Sequence, residues 1–223
     1  MPGAGAHGKD RLFQDDDLLE ITIAAPFIQM TRMRDKTLQY PGEITFSDID
    51  GTPTTLAIHA EVRGNNRLRR DVCKFPPVRL IFGDDAENTL FESQKRLKLV
   101  TQCDHRLIKF HNYLFREFLA YRMFNTITPQ SYRVRLAKIS YIREKGKPVE
   151  RYGFFIEPKK LLAKRIGAKA LSDESISVSK LDQPHLNKVS LFQYLIGNVD
   201  YAVTKGGNDE CCHNVKLFKP EVE

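Results

Sequence analysis

No stretch of this 223-residue chain approaches the ~18 consecutive apolar residues of a membrane-spanning helix, so no membrane span is expected. Cysteine is scarce. Four are present, Cys73, Cys103, Cys211 and Cys212, and none forms a Cys-x-x-Cys pair, which argues against a structural zinc site. Gly-x-Ser-x-Gly, His-Glu-x-x-His and a Walker loop are all missing, which leaves the hydrolase, zinc-protease and P-loop classes without support. The first residues, small and glycine-rich, lack the hydrophobic core of a signal peptide. They read as a disordered leader over 1–11. The compartment stays open between the cytoplasm and export, the latter requiring a removed signal peptide and a Cys73–Cys103 disulfide; two buried thiols are the alternative.

The composition is that of an ordinary globular protein, with 41% hydrophobic and 28% charged residues. The formal charge is +7, from 35 Lys and Arg against 28 Asp and Glu, which favours an anionic partner in general terms. The cations are dispersed, however. Only 63–70 and 159–165 are dense, and neither is interleaved with aromatics, so nucleic acid is disfavoured as the partner.

Read along the chain, the first ninety or so residues are antiparallel β structure. Leu19, Ile21 and Ile23 alternate as in a half-buried strand, and Pro26 ends that run before a short helix over 27–33. Asp15-Asp16-Asp17, which could suggest calcium, reads as a solvated turn. Residues 42–46 and 54–62 flank Asp50-Gly51, a strong hairpin signal. Strands follow at 78–82 and 96–100, the latter with Lys98 facing away from Leu97 and Leu99. The period then changes. Phe110, Leu114, Phe118 and Tyr121 make a helical stripe over 109–127, broadened by Phe115, Leu119 and Met123. Strict alternation returns at 132–141, with a turn at Gly146-Lys147-Pro148 and a second strand over 151–157. Two helices, 159–166 capped by Gly167 and 185–196, complete the pattern around a polar loop at 172–182.

The last helix runs into Leu195-Ile196-Gly197-Asn198-Val199-Asp200, and Asn214 follows after a polar loop. Gly197 is also a common helix stop, the plainer reading of part of this motif. From residue 96 the order is a strand with an outward lysine, a long helix, a hairpin, a helix, an Asp loop and an Asn. Protein kinases use that order. Glu117 sits at the edge of the apolar stripe, where a carboxylate needs a partner, and Lys98 is a candidate. A surface contact one helical turn away is the alternative for Glu117.

The Gly-Asn-x-Asp segment with its later Asn resembles the catalytic loop of HipA-like kinases and the corresponding segment of CotH-type spore-coat kinases. Arg63-Gly64-Asn65 resembles the Arg-Gly segment that precedes the nucleotide-binding strands of the CotH group. The Leu97-Lys98-Leu99-Val100 and Arg116 to Arg122 segments resemble signatures of a group of uncharacterised bacterial proteins. The resemblance spans roughly residues 55 to 218 and implies an ATP- and magnesium-dependent phosphotransferase. Lys98, Glu117 and Arg63 would bind the nucleotide, Asp200 would be the catalytic base, and Asn214 would hold the metal. A nucleotide, and a protein substrate, are the implied partners. The chain departs from the pattern in two ways. The Asp200–Asn214 spacing is long, and the only acids beyond Asn214 are Glu221 and Glu223, so the second metal-binding Asp of the pattern has no counterpart. The expected protein is therefore α+β, with an antiparallel β-rich part (12–95) and a kinase-like α+β part (96–223), the two forming one continuous domain or two. Its function is phosphoryl transfer, in whole or as a fragment; the alternative is a non-catalytic module for nucleotide binding or protein interaction.

Overall fold

A computed structural model describes residues 10–104, 106–171, 176–205 and 211–221 of the chain. The expected leader falls, but for residues 10 and 11, outside the described residues, as do 172–175 and 206–210 of the two expected polar loops.

Seven strands close a barrel: β1 (Leu19–Ala24), β2 (Tyr40–Ser47), β3 (Pro53–Val62), β4 (Val78–Phe82), β5 (Arg96–Thr101), β6 (Val134–Ile142) and β7 (Val149–Ile156). Their order round the barrel is β1-β2-β3-β4-β5-β7-β6. Neighbours are antiparallel except at the closure, where β1 and β6 run parallel with Leu19 opposite Ala137 and Ala24 opposite Ile142. The β2–β3 hairpin turns at Gly51, whose φ of 84° suits the Asp-Gly signal.

Alternation sends one set of side chains inward. Ile23, Ile44, Leu80, Leu97, Leu99, Ile139 and Phe155 lose all contact with water there. Each such burial contributes about 1.5–3 kcal/mol. Aromatic groups fill both ends. Phe91, from the β4–β5 connection, lies 4.8 Å from Phe46, 4.9 Å from Phe82 and 6.0 Å from Phe155. Near the other end of β1, Phe27 of α1 (Phe27–Met33) and Phe75 pack against Tyr141 at 5.1 and 5.4 Å.

The outward face of β5, β7 and β6 is covered by α2 (Ile108–Ile127). Leu114, Phe115, Phe118 and Tyr121 pack against Val100, Phe154, Ile156 and Val134. Leu119 and Met123, expected to broaden this stripe, are instead 53% and 55% exposed.

This architecture corrects the expected fold class. The strands assigned to a kinase-like α+β part, β5, β6 and β7, close one barrel with β1 to β4. A strand, a helix and a hairpin in succession do not say which strands pair, and the deciding β1–β6 contact joins segments more than a hundred residues apart.

The aspartate run is also more than a solvated turn. Asp15 Oδ2 accepts from the buried Arg135 at 2.8 Å, and Asp16 Oδ2 accepts from Arg122 at 2.6 Å. Leu12 and Phe13, just before it, are buried in the barrel core.

The chain divides into two compact units: 1–122 with 132–158, which contains the barrel, and 123–131 with 159–223. In the second unit α3 (Lys159–Arg165) leads into Gly167, at φ 61°, and β8 (Ala168–Ala170). Arg165 donates to the carbonyls of Pro129 and Ser131, each at 2.7 Å. α4 (Gln183–Leu195) starts two residues earlier than its periodicity suggests, because Asp182 caps it by accepting from the His185 amide at 3.1 Å. Phe192 of α4 packs against Phe124 with the rings tilted and their centroids 4.8 Å apart. β9 (Ala202–Lys205) pairs with β10 (Cys211–His213), and β11 (Phe218–Pro220) with β8.

Candidate functional site

The densest gathering of charge lies on the outward face of β3, β4 and β5 and the adjoining part of α2. Strand register places Glu61, Arg79 and Lys98 in one transverse row, since Glu61 pairs with Arg79 and Arg79 with Lys98. The Glu61 carboxylate is buried, and its Oε1 accepts from Arg79 at 2.5 Å and from Arg96 at 2.6 Å. A buried carboxylate needs such partners, because loss of its hydration is otherwise uncompensated. Arg79 and Lys98, of like charge, face each other across strands, an arrangement that stability alone would avoid.

β3 ends at Val62, and Arg63 begins the segment that returns to β4. Arg63 lies within reach of three charged neighbours: Arg79, Arg67 and Glu117. Desolvation is the main influence lowering the pKa of its guanidinium, and the like charges of Arg79 and Arg67 add to it. Arg67 is perturbed in the same direction by the same leading cause, with Glu117 opposing. Arg67 also donates from Nη2 to the Thr101 carbonyl at 2.6 Å, which fixes it against β5.

Glu117 projects from α2 towards these arginines. It remains accessible to solvent yet stands in a concave, atom-dense place. Crowding raises its pKa, and Arg67 and then Arg63 pull it back. Tyr121, one turn along the helix, is pushed up to about 12 by desolvation and by the Glu117 charge.

Beside this cluster a cleft of about 240 Å³ opens, lined by Arg67, Val72, Val100, Thr101, Cys103, Phe110, Tyr113, Leu114 and Glu117. Phe110, Tyr113, Leu114 and Glu117 reach it from α2, with Phe110 and Tyr113 edge-to-face at 5.8 Å, and Arg67 reaches it from the β3–β4 connection. A disulfide joins Cys73 to Cys103 at the edge of the cleft. Asp104, next in sequence, is held well below the ordinary carboxylate range by the Arg106 amide, the Arg106 guanidinium and Lys74, whose Nζ lies 3.1 Å away.

The structure therefore brings Arg63 and Glu117 together and sets Lys98 opposite Arg79 in the adjoining row. The charges that act on Glu117 are those of Arg67 and then Arg63. Reading by motif missed Arg67; the dense basic stretch 63–70 was its only signal.

The other expected residues lie in the second unit. Gly197, at φ 66°, ends α4, and Asn198 Oδ1 accepts from the Asp200 amide at 3.1 Å, so the Gly-Asn part of the motif makes a helix stop and a turn. The Asn214 side chain donates to the Asp200 carbonyl, which closes the loop. His213 has its Nδ1 3.2 Å from Asp200 Oδ1; the two side chains are 66% and 74% exposed. Magnesium asks for hard oxygen donors, and this pair offers the Asp200 carboxylate and the Asn214 amide oxygen. A cation there would compete with His213 for the carboxylate. Among the described residues, no three His, Cys, Asp or Glu side chains are grouped as a metal shell, and no helix is long and apolar enough to cross a membrane.

Comparison with protein-family models, with curated proteins and with solved structures gave no match for this chain.

Proposed function

We propose that the barrel unit binds a small phosphate-bearing ligand of nucleotide type in the cleft beside Arg63, Arg67 and Glu117. One observation carries this reading: Arg67, with Arg63 near it, lines a cleft that also presents the rings of Phe110 and Tyr113. Guanidinium forks match phosphate oxygens in pairs, and a flat ring gains contact on Phe110 and Tyr113. Titration calorimetry with ATP tests it. Saturable binding is expected, weakened about tenfold or more in Arg67→Ala and Arg63→Ala, the scale of one lost charge-assisted contact. Pyrophosphate, which lacks the ring, should bind more weakly than ATP, with a smaller loss in Tyr113→Ala. Absence of saturable heat with millimolar ATP in a folded sample sinks the reading.

A second reading, phosphoryl transfer with Asp200 as base, is favoured by the hydrogen bond that joins Asn214 to Asp200. It predicts magnesium-dependent loss of the ATP γ-phosphate to a hydroxyl acceptor, abolished in Asp200→Ala. Equal turnover in that variant removes it. The Cys73–Cys103 disulfide supports export to an oxidising compartment, which intact-mass measurement before and after reduction examines.

A further inference from the structure

We infer that the Cys73–Cys103 disulfide is a redox latch on the anion cleft, opened by a dithiol and shielded by bound ligand; this rests on the anion-binding reading above. Besides α2, two stretches of chain line the cleft, one with Arg67 and Val72 and one with Val100, Thr101 and Cys103, and the disulfide ties Cys73, next to Val72, to Cys103. The Lys74 and Phe75 amides donate to the Cys103 carbonyl at 3.0 and 2.9 Å, and Arg67 donates to Thr101 at 2.6 Å. All three bonds span the same seam. Arg34 holds the Leu68 and Cys73 carbonyls from another side at 2.8 and 2.7 Å, so the stretch stays attached to the barrel while loss of the disulfide loosens the contact of Arg67 with Thr101.

Both sulfurs are buried, Cys73 at 1% and Cys103 at 6% exposure, but Cys103 lines the cleft. A reductant therefore meets the bond from the side where ligand would sit. A dithiol thiolate attacks Cys103 Sγ, the disulfide breaks, and Cys73 leaves as a thiolate. The second thiol then displaces Cys103 and closes a cyclic disulfide. Two electrons pass from the dithiol to the protein, and its two protons end on the two cysteine thiols. Arg67, and Lys74 beside Cys73, favour the thiolates during this exchange. Linkage makes the coupling reciprocal: whatever reduction does to ligand affinity, ligand does to the ease of reduction.

Three measurements on the full chain test the latch, with ATP as the probe. ATP affinity should fall about tenfold in the Cys73→Ser/Cys103→Ser variant, within the usual range of coupling between sites. Saturating ATP should shift the dithiothreitol reduction equilibrium of the wild type towards the disulfide by a comparable factor, and slow the reduction by shielding the bond, read by alkylation and peptide mass. Amide exchange at Lys74 and Phe75 should accelerate in the variant while that of β1 to β7 stays unchanged. Equal affinity in the two proteins, or unprotected reduction, overturns the latch. Should ATP fail to bind the oxidised protein, the anion-binding reading falls and the latch falls with it. Unchanged exchange at Lys74 and Phe75 overturns the latch alone, whatever ATP does.

Discussion

The two units treat charge in opposite ways. In the barrel unit Glu61 keeps 5% of its side-chain surface and is held by two guanidinium groups, and Glu117 is crowded among arginines. In the second unit Asp200 and His213 meet in the open, at 74% and 66% exposure. Water screens the second pair and leaves it worth about 1 kcal/mol or less. The first group is partly stripped of water, so its charges act on one another and on whatever enters the cleft. Reactivity follows from surroundings more than from residue type, which is why the anion-binding reading is placed on the barrel.

Four outcomes would break or sharpen that contrast. The largest concerns the core that supports the charged face. Phe91→Ala removes the ring between Phe46, Phe82 and Phe155 and should cost about 3–5 kcal/mol in chemical denaturation. A loss below about 1 kcal/mol would mean that the barrel end collapses around the cavity. Next is Asp104, whose folded pKa is depressed. Its ionised form stabilises the fold above the ordinary value of 3.8, and that contribution disappears as pH falls through the lower folded value. Asp104→Asn should therefore lower the melting temperature at pH 7, with the gap to wild type closing in strong acid. A gap that stays constant with pH would contradict an origin in the ionised, hydrogen-bonded carboxylate.

Glu117 gives a smaller, opposite effect. It repels an incoming anion, so Glu117→Gln should tighten ATP binding about threefold to tenfold at pH 7. Because crowding raises its pKa, wild-type affinity should climb as pH falls towards that raised value and Glu117 is neutralised, while Arg63, Arg67 and Tyr121 keep their protons. The Gln variant supplies the baseline that removes ATP's own titration. Weaker binding in Glu117→Gln would show the carboxylate to be a ligand contact instead. The smallest effect belongs to the exposed pair: His213→Ala should change stability by about 0.5 kcal/mol or less. A larger loss in thermal melting would reveal a role that solvent exposure hides.

Most elements could be read from the residues themselves. Alternation at Leu19 to Ile23, the Pro26 break, the Asp50-Gly51 turn and the helical stripe from Phe110 to Tyr121 all encode local conformation, and the structure follows them. Pairing is another matter. Nothing near Leu19 announces Ala137 as its neighbour, and nothing in Arg67 points to Glu117, fifty residues on. The kinase-like α+β fold class expected from the order of elements failed for that reason: barrels and kinase lobes can share an order while differing in which edges meet. Glu117 was legible as a candidate because it strained a local rule, a carboxylate beside an apolar stripe, and Arg63 because Arg63-Gly64-Asn65 resembled a known segment. Arg67 shared only the dense basic stretch 63–70, and the His213–Asp200 contact had no local signal.

The parallel β1–β6 closure sets a condition on biosynthesis. As the chain leaves the ribosome, β1 to β4 can zip together as hairpins, but β1 keeps a bare edge until residues 137–142 emerge. During that interval the growing protein displays Ile21 and Ile23 on an unpaired strand, an open invitation to a neighbouring nascent chain. The acidic stretch Asp15-Asp16-Asp17, immediately before that strand, places like charges where two such edges would meet, and Arg135 and Arg122 claim two of these charges when the barrel shuts.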